Sequence, residues 1–337
     1  MKAFVKTEYG GPEVLQLQEI EKPVPKKGQL LVKVMANSAN PADWHVLRGK
    51  PSLVRLSFGW FRPKDKVLGS DFAGVVEAVG DNVGSFKVGD RVFGETLGKG
   101  AFAEYVCAPA TACASIPAGM NFPEMAGAPI AGLTAWQALI THGRLREGES
   151  VLINGSSGGV GHLTIQVAKV YGAQVTAVCS GRNADFVKAL GADQVIAYDQ
   201  ENIHQHGKQY DLVIDNHGNL TYSDFKRMGR RGVMVGFTTT RHMTSVLLKS
   251  AFDTFPLTQF TAEANTKDLE AVANLLRSGE VSIHLHKTYP YSQIPEAIRY
   301  IEDMHTQGKV VMVWDDTPSA DKAESESKTV SNPDRTP

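Results

Sequence analysis

Residues 150–172, S-V-L-I-N-G-S-S-G-G-V-G-H-L-T-I-Q-V-A-K-V-Y-G, narrow what this chain can fold into more than any other stretch. Val151, Leu152 and Ile153 make an apolar, β-rich run. Gly155, Gly158 and Gly161 follow at three-residue intervals, with Gly159 added. Val160, Leu163, Thr164, Val167, Ala168 and Tyr171 then recur at helical spacing. A strand that turns this tightly into a helix needs residues that accept positive φ and close backbone approach. The helix start offers unpaired N–H groups and the positive end of its dipole, which suits a pyrophosphate. The spacing is G-x-x-G-x-x-G rather than G-x-G-x-x-G, so the strand before and the helix after are what point to a dinucleotide loop. That loop would be Gly155, Ser156, Ser157, Gly158, Gly159, Val160 and Gly161.

The chain before this unit has a different character. Residues 1 to about 120 hold short β-branched or aromatic runs at 3–6, 29–36, 74–79, 91–93 and 102–106, bounded by turn residues. Strands so close together predict a barrel-like or sandwich module. Residues 124–139 show helical periodicity. After the glycine unit, 174–178, 194–197, 211–215 and 233–237 read as buried strands, with helical patterns such as 183–190 and 223–228 between them. That alternation predicts a doubly wound parallel sheet, so the fold class is α/β with an added β-rich module. A strand at 256–262, an amphipathic helix at 268–276 and a last strand at 309–314 complete the ordered part. Residues 317–337 are Ser-, Lys-, Asp- and Glu-rich and are expected to be a disordered tail.

Composition bounds the partners. The chain has 337 residues, 42% hydrophobic and 21% charged, enough for two domains of ordinary globular make-up. A net charge of −1 gives no reason to expect nucleic acid or an acidic membrane. Cys107, Cys113 and Cys179 include no C-x-x-C pair, which fits a reducing compartment. With no signal-peptide layout at the start and no apolar run of spanning length, the expectation is a soluble, cytoplasmic protein.

Several further motifs stand in a telling order. They are Asn40-Pro41-Ala42-Asp43-Trp44 with Arg48-Gly49, Gly69-Ser70-Asp71-Phe72-Ala73-Gly74, Phe86-Lys87-Val88-Gly89-Asp90-Arg91-Val92, Gly100-Ala101-Phe102-Ala103-Glu104-Tyr105, Gly132-Leu133-Thr134-Ala135 and Gly308-Lys309-Val310-Val311. With the glycine loop they resemble the zinc-free quinone oxidoreductase branch of the medium-chain dehydrogenase/reductase superfamily. The resemblance implies a split GroES-like catalytic domain (1–122 and 263–316) around a Rossmann domain (123–262), with the active site in the cleft between them. Zinc-dependent members carry Cys and His ligands where this chain has Asn40 and Ser70, and Asp71 stands where Glu usually follows the His. The lobe that holds a second zinc on four cysteines is missing. No metal is therefore expected.

Without a metal, hydride transfer is easiest to acceptors that already spread negative charge. The resemblance thus implies an NADPH-dependent reductase of quinones or α,β-unsaturated carbonyls. A zinc-independent alcohol or aldehyde dehydrogenase and a non-enzymatic NADPH-binding regulator remain alternatives. By resemblance, Asn40 lies near the nicotinamide and can donate its amide to a substrate carbonyl; its other reading is a turn residue before Pro41. His45, where many relatives have Tyr, could protonate a substrate oxygen or simply face solvent. Asp43 and Arg48 are expected to hold their loop as a charge pair. Trp44, Phe58, Trp60 and Phe61 suggest an aromatic pocket or lid, or core packing. Thr134, His217, Phe237, Thr238 and Lys309 match cofactor-side positions in relatives. The strand at 174–178 is followed by no acidic residue. Ser180 and Arg182, with Tyr198 by resemblance, would take the 2′-phosphate, which is why NADPH rather than NADH is expected. Relatives pair the edge formed by 256–262 across a two-fold axis, so a homodimer is expected. The pairs His204-x-His206 and His284-x-His286 are read as surface histidines. Tyr222-Ser223-Asp224-Phe225-Lys226, a match to the short-chain Y-x-x-x-K pair, comes too soon after the glycine loop for that fold.

Overall fold

The computed structural model describes residues 1–304 and 306–314; the expected tail, 317–337, lies outside them. The β-rich first third gives β1 (Lys2–Val5), β2 (Gln16–Glu19), β3 (Gln29–Ala39), β4 (Asp71–Val79), β5 (Arg91–Glu95), β6 (Tyr105–Pro109) and β7 (Cys113–Ser115), with helices α1 (Pro41–Arg48) and α2 (Val54–Phe58) between β3 and β4. Helices α3 (Phe122–Ala126) and α4 (Pro129–Trp136) lead to β8 (Ser150–Asn154), α5 (Gly161–Val170), β9 (Gln174–Cys179), α6 (Ala184–Ala189), β10 (Gln194–Ala197), β11 (Leu212–Asp215), α7 (Tyr222–Met228), β12 (Gly232–Met234), α8 (Thr240–Ala251) and β13 (Leu257–Gln259). The chain then adds α9 (Thr266–Ser278), β14 (Leu285–Pro290), α10 (Ile294–Glu302) and β15 (Lys309–Val313).

Strands β8 to β13 form a six-stranded parallel sheet in the order β10-β9-β8-β11-β12-β13. This is the Rossmann arrangement, with the order reversing beside β8 at the glycine turn. Buried Val151, Ile153, Ile165, Val175, Leu212 and Ile214 share its main core. The other sheet joins the two ends of the chain. Antiparallel to β3, β15 sets Val310 against Ala39 and Val311 against Ser38. β4 sets Asp71 against Ser38, and β5 sets Glu95 against Asp71. Lys309 therefore starts its strand beside the residue that ends β3, and Ser38, Asp71 and Glu95 form one row across three strands. No helix among the described residues is long and apolar enough to cross a membrane.

Several elements differ from the sequence expectation, each for a local reason. The run at 102–106 pairs only from Tyr105, because Phe102 leaves the sheet and accepts a bond from Phe4 N at 2.9 Å. The helical pattern at 124–139 is broken by Gly127-Ala128-Pro129 into α3 and α4. The strand at 233–237 stops at Met234, and 256–262 contributes only three paired residues. β2 carries no apolar alternation, since all four of its residues face outward. α8 buries only Val246, which left its periodicity unreadable. α10, by contrast, buries Ile294, Ile298 and Ile301 at i, i+4 and i+7, a pattern the sequence does show.

Candidate active site

At the end of β8 the backbone turns through Gly155, whose φ is 74°. A Cβ on Gly161 would stand 2.2 Å from the Gly155 carbonyl oxygen, so only glycine lets α5 begin this close to the strand. Beside the turn lies a cavity of about 350 Å³ lined by both lobes. The turn residues Gly155, Ser157, Gly158, Gly159, Val160 and Gly161 line one side, and Asn40, Pro41, Gly308 and Lys309 the other. Ser156 faces away from it. Its backbone N–H and its Oγ both donate to the Val178 carbonyl, at 3.1 and 2.8 Å, and so tie β8 to β9.

A buried polar cluster forms the floor on the β-rich side. Pro41 starts α1 with its fixed φ, and the Asp43 carboxylate accepts from Asn40 N at 2.8 Å, which leaves the Asn40 side chain free to turn toward the cleft. Asn40 Oδ1 accepts from Lys309 Nζ at 2.5 Å, and Asn40 Nδ2 donates to Asp71 at 2.8 Å. Asp71 also accepts from Ser38 Oγ at 2.7 Å, from Ile130 N at 3.0 Å and from Lys309 Nζ at 3.3 Å. Ser70 Oγ donates to Asp43 at 2.7 Å. The lysine stem packs on the glycine turn, where a Cβ on Gly159 would meet Lys309 Cδ at 3.3 Å. Lys309 has three N–H donors. Two are taken, and the described residues offer no partner for the third.

The cluster holds more carboxyls than cations. Asp43, Asp71 and Glu95 are all buried, against the buried Lys309 and Lys6. Among the described residues neither Glu95 oxygen has a well-formed hydrogen bond, the Leu97 N–H being the donor nearest to it. Burial, with Asp71 and Asp43 nearby, pushes the Glu95 carboxyl up to about 8. Burial pushes Asp43 up to about 7, against the bond from Ser70. Burial lowers Lys6 to about 8, against the field of Asp43.

These contacts change several sequence-based roles. Both N–H groups of the Asn40 amide are engaged, by Asp71 at 2.8 Å and by the Ser38 carbonyl at 3.4 Å, whereas Lys309 keeps one N–H without a partner among the described residues. His45 does not line the cavity. Its Nδ1 lies 2.8 Å from the Lys50 carbonyl, its ring lies 3.7 Å from the Trp44 ring at a 30° tilt, and burial lowers its pKa. A neutral ring that donates from Nδ1 has no proton on Nε2, which works against a proton-donor role. Asp43 and Arg48 do not pair: Arg48 forks onto Glu302 at 2.6 and 2.8 Å while Asp43 points into the cluster. Phe58, Trp60 and Phe61 do not line the cavity either. Lys226 pairs with Asp253 at 2.6 Å and Tyr222 is buried in the core under α7, so the Y-x-x-x-K match lies away from the cavity.

On the Rossmann side, His217 and Tyr198 line the cavity, as does Asn216, which sequence reasoning passed over. Both polar atoms of the Asn216 side chain are buried without a partner among the described residues, and so is Ser180 Oγ just beyond β9. Such orphaned groups beside a glycine cradle are what a bound dinucleotide would satisfy. Arg182 is exposed next to Ser180. Asp199, from beyond β10, accepts from Gly181 N at 2.9 Å, an acidic neighbour hidden by its distance along the chain. Thr238 N donates to the Gly218 carbonyl at 3.1 Å, beyond the end of β11, and neither Phe237 nor Thr238 lines the cavity. Thr134 is buried one turn beyond the cavity-lining Ile130 and Ala131.

Zinc does not fit this floor. Amide and hydroxyl oxygens are weak zinc ligands, and Asn40 Oδ1 already holds an ammonium. Among the described residues no group of three or more His, Cys, Asp or Glu side chains could hold a metal ion.

Comparison with known proteins places the chain. Residues 26–118 match the alcohol dehydrogenase GroES-like domain and 190–312 the zinc-binding dehydrogenase family. The chain is 32% identical to the chloroplastic quinone-oxidoreductase homolog of Spinacia oleracea over 320 residues, 90% of this chain and 95% of that one. It is 33% identical to the chloroplastic NADPH-dependent alkenal/one oxidoreductase of Arabidopsis thaliana, covering 93% of this chain and 79% of that one. The quinone oxidoreductase structure from Coxiella burnetii superposes with a TM-score of 0.83 at 31% identity, over 93% of this chain and 99% of that one. The chain belongs to the quinone oxidoreductase-like branch of the medium-chain dehydrogenase/reductase superfamily, a family of NAD(P)H-dependent quinone and alkenal oxidoreductases.

Proposed function

We propose that the protein is an NADPH-dependent, zinc-independent reductase of quinones or α,β-unsaturated carbonyls. The observation that supports it best is the buried Lys309 ammonium, held by Asn40 and Asp71 at the floor of a cleft whose other wall is the glycine turn. Reducing such a substrate adds a hydride, that is two electrons and one proton, and then a second proton taken from water; between the two, negative charge builds on the substrate oxygen. The nicotinamide, when bound, supplies the hydride. Gly155 to Gly161, Asn216 and Ser180 would hold the dinucleotide. Lys309 donates its remaining N–H to the charging oxygen from a site already desolvated, where a fixed donor stabilises the transition state most. Asn40 and Asp71 keep that donor in place. Because residues 58–61 do not fill the cleft, it is open to a substrate, which favours catalysis over the regulatory alternative. Steady-state NADPH oxidation across a panel of quinones, enones and aldehydes tests this reading. Turnover confined to simple aldehydes, or none at all, would overturn it.

The zinc-free reading has its own test. Purified protein should contain far less than one zinc per chain, and EDTA should leave turnover unchanged. Stoichiometric zinc whose removal abolishes activity would show that Asn40 and Ser70 have been misread.

The preference for NADPH rests on Ser180, Arg182 and Tyr198. A charge-assisted hydrogen bond contributes about 1.5–3 kcal/mol. Arg182→Ala should therefore weaken NADPH binding roughly ten- to a hundredfold and leave NADH nearly unchanged. Asp199 sits near enough to compete, so Asp199→Asn should move NADPH affinity the other way. Titration of both cofactors against each variant decides. A wild type that prefers NADH would remove the assignment.

A further inference from the structure

We propose that the surface built by residues 53–61 and Leu97 docks on an anionic lipid bilayer. Its apolar side chains would enter the interface, and the basic residues around it would meet the headgroups. Leu53, Leu56, Trp60, Phe61 and Leu97 are 54, 63, 53, 88 and 54% exposed, an unusual density of large apolar groups in water. They form one patch. The loop at 96–99 lies on α2, since a Cβ on Gly98 would stand 3.7 Å from the Phe58 ring, and Lys99 Nζ sits 5.9 Å from that ring centre. Leu97 holds a φ of 51°, a left-handed conformation that leucine avoids, so its outward display carries a conformational cost.

The charge around the patch runs against the rest of the chain. Residues 50–66 contain Lys50, Arg55, Arg62, Lys64 and Lys66 against the single acid Asp65, in a protein whose net charge is −1. Arg55 is occupied, stacked over Tyr9 and bonded to the Gly49 carbonyl at 3.1 Å. Lys50, Arg62, Lys64, Lys66 and Lys99 are exposed, and none has an ion-pair partner among the described residues. Trp and Phe beside unpaired Lys and Arg is the composition of an interfacial anchor: the rings sit at headgroup depth and the cations face anionic lipid. A second copy of this chain is a poorer occupant. A two-fold contact would lay the same basic rim against itself. The docking does not depend on the proposed reductase activity and can be tested without it.

The full chain should co-sediment with vesicles of phosphatidylcholine mixed with phosphatidylglycerol and stay in the supernatant with phosphatidylcholine alone. High salt should weaken the binding. Each basic residue near an anionic surface contributes about fivefold, so Arg62→Gln/Lys64→Gln/Lys66→Gln should lower partitioning by on the order of a hundredfold. Trp60→Ser/Phe61→Ser should lower it too, while leaving the salt dependence in place. Unchanged thermal midpoints would show that both variants fold; if either does not, Lys64→Gln/Lys66→Gln replaces it. Absence of sedimentation, equal sedimentation with neutral vesicles, or variants that bind as the parent does would each overturn the proposal. So would a dimer mass in solution that Trp60→Ser/Phe61→Ser abolishes, because a second copy would then cover the patch.

Discussion

Replacing Lys309 by methionine should lower kcat/KM for a water-soluble quinone by roughly 10²–10³, the usual loss when one preorganised donor to a charging oxygen is removed. The loss should fall on kcat, with the NADPH dissociation constant little changed. The family resemblance suggests a different role, a lysine that contacts the cofactor; in that case NADPH binding would weaken and kcat would hold. Stability needs a separate control. Methionine leaves Asp71 buried beside no cation, and breaking a buried pair costs about 3–5 kcal/mol. Lys309→Met/Asp71→Asn removes both charges and should recover part of that loss: the Asn oxygen can replace Asp71 Oδ2 and accept from Ser38 Oγ and Asn40 Nδ2, while Ile130 N loses the Oδ1 acceptor. If the double variant is stable and still turns over at the parental rate, Lys309 is not the electrophile.

The sequence showed the parts of this site better than their assembly. The glycine loop, the parallel strands and the GroES-like motifs are local signals, and the comparisons agree with them. Asn40 and Lys309 were each legible, but they lie 269 residues apart, and only the β3–β15 register brings them together. Once they meet, the roles change, because the asparagine amide is used up. Glu95 carried no signal, since a single acid in an apolar run looks like a strand end. Its meaning comes from the β4–β5 register that sets it opposite Asp71. Asp43 and Arg48 were misread because neighbours along a chain look like partners, whereas α1 points them to opposite sides. Asp199 was missed for the complementary reason: the search for an acid followed β9, and this one arrives from beyond β10.

The same carboxyl cluster should make stability fall as pH rises through neutrality, and Glu95→Gln should remove much of that fall. The sign follows from protons. In the unfolded chain Glu95 ionises near its ordinary 4.5, while in the fold it keeps its proton to about 8. Below 4.5 both states are protonated and its contribution is fully present. Between 4.5 and 8 the unfolded state gains by ionising while the folded state does not, so stability drops. Asp43, raised from 3.8 to about 7, adds in the same direction. Lys6, lowered to about 8, opposes it: the unfolded chain keeps that proton to higher pH, so the fold gains as pH climbs past 8. The other groups facing Glu95 and Asp43 are Asp71 and Lys309, an ion pair at 3.3 Å. Each proton held only by the folded state changes stability by up to about 1.4 kcal/mol per pH unit. For a chain this size that is roughly 2 °C in thermal midpoint per unit. Midpoints measured from pH 5 to pH 9 should therefore decline in the parent through pH 8. In Glu95→Gln the decline should end near pH 7, where only Asp43 still titrates. Parallel curves for parent and variant would mean that Glu95 is ionised in the fold, with a counter-charge that its two oxygens do not reveal.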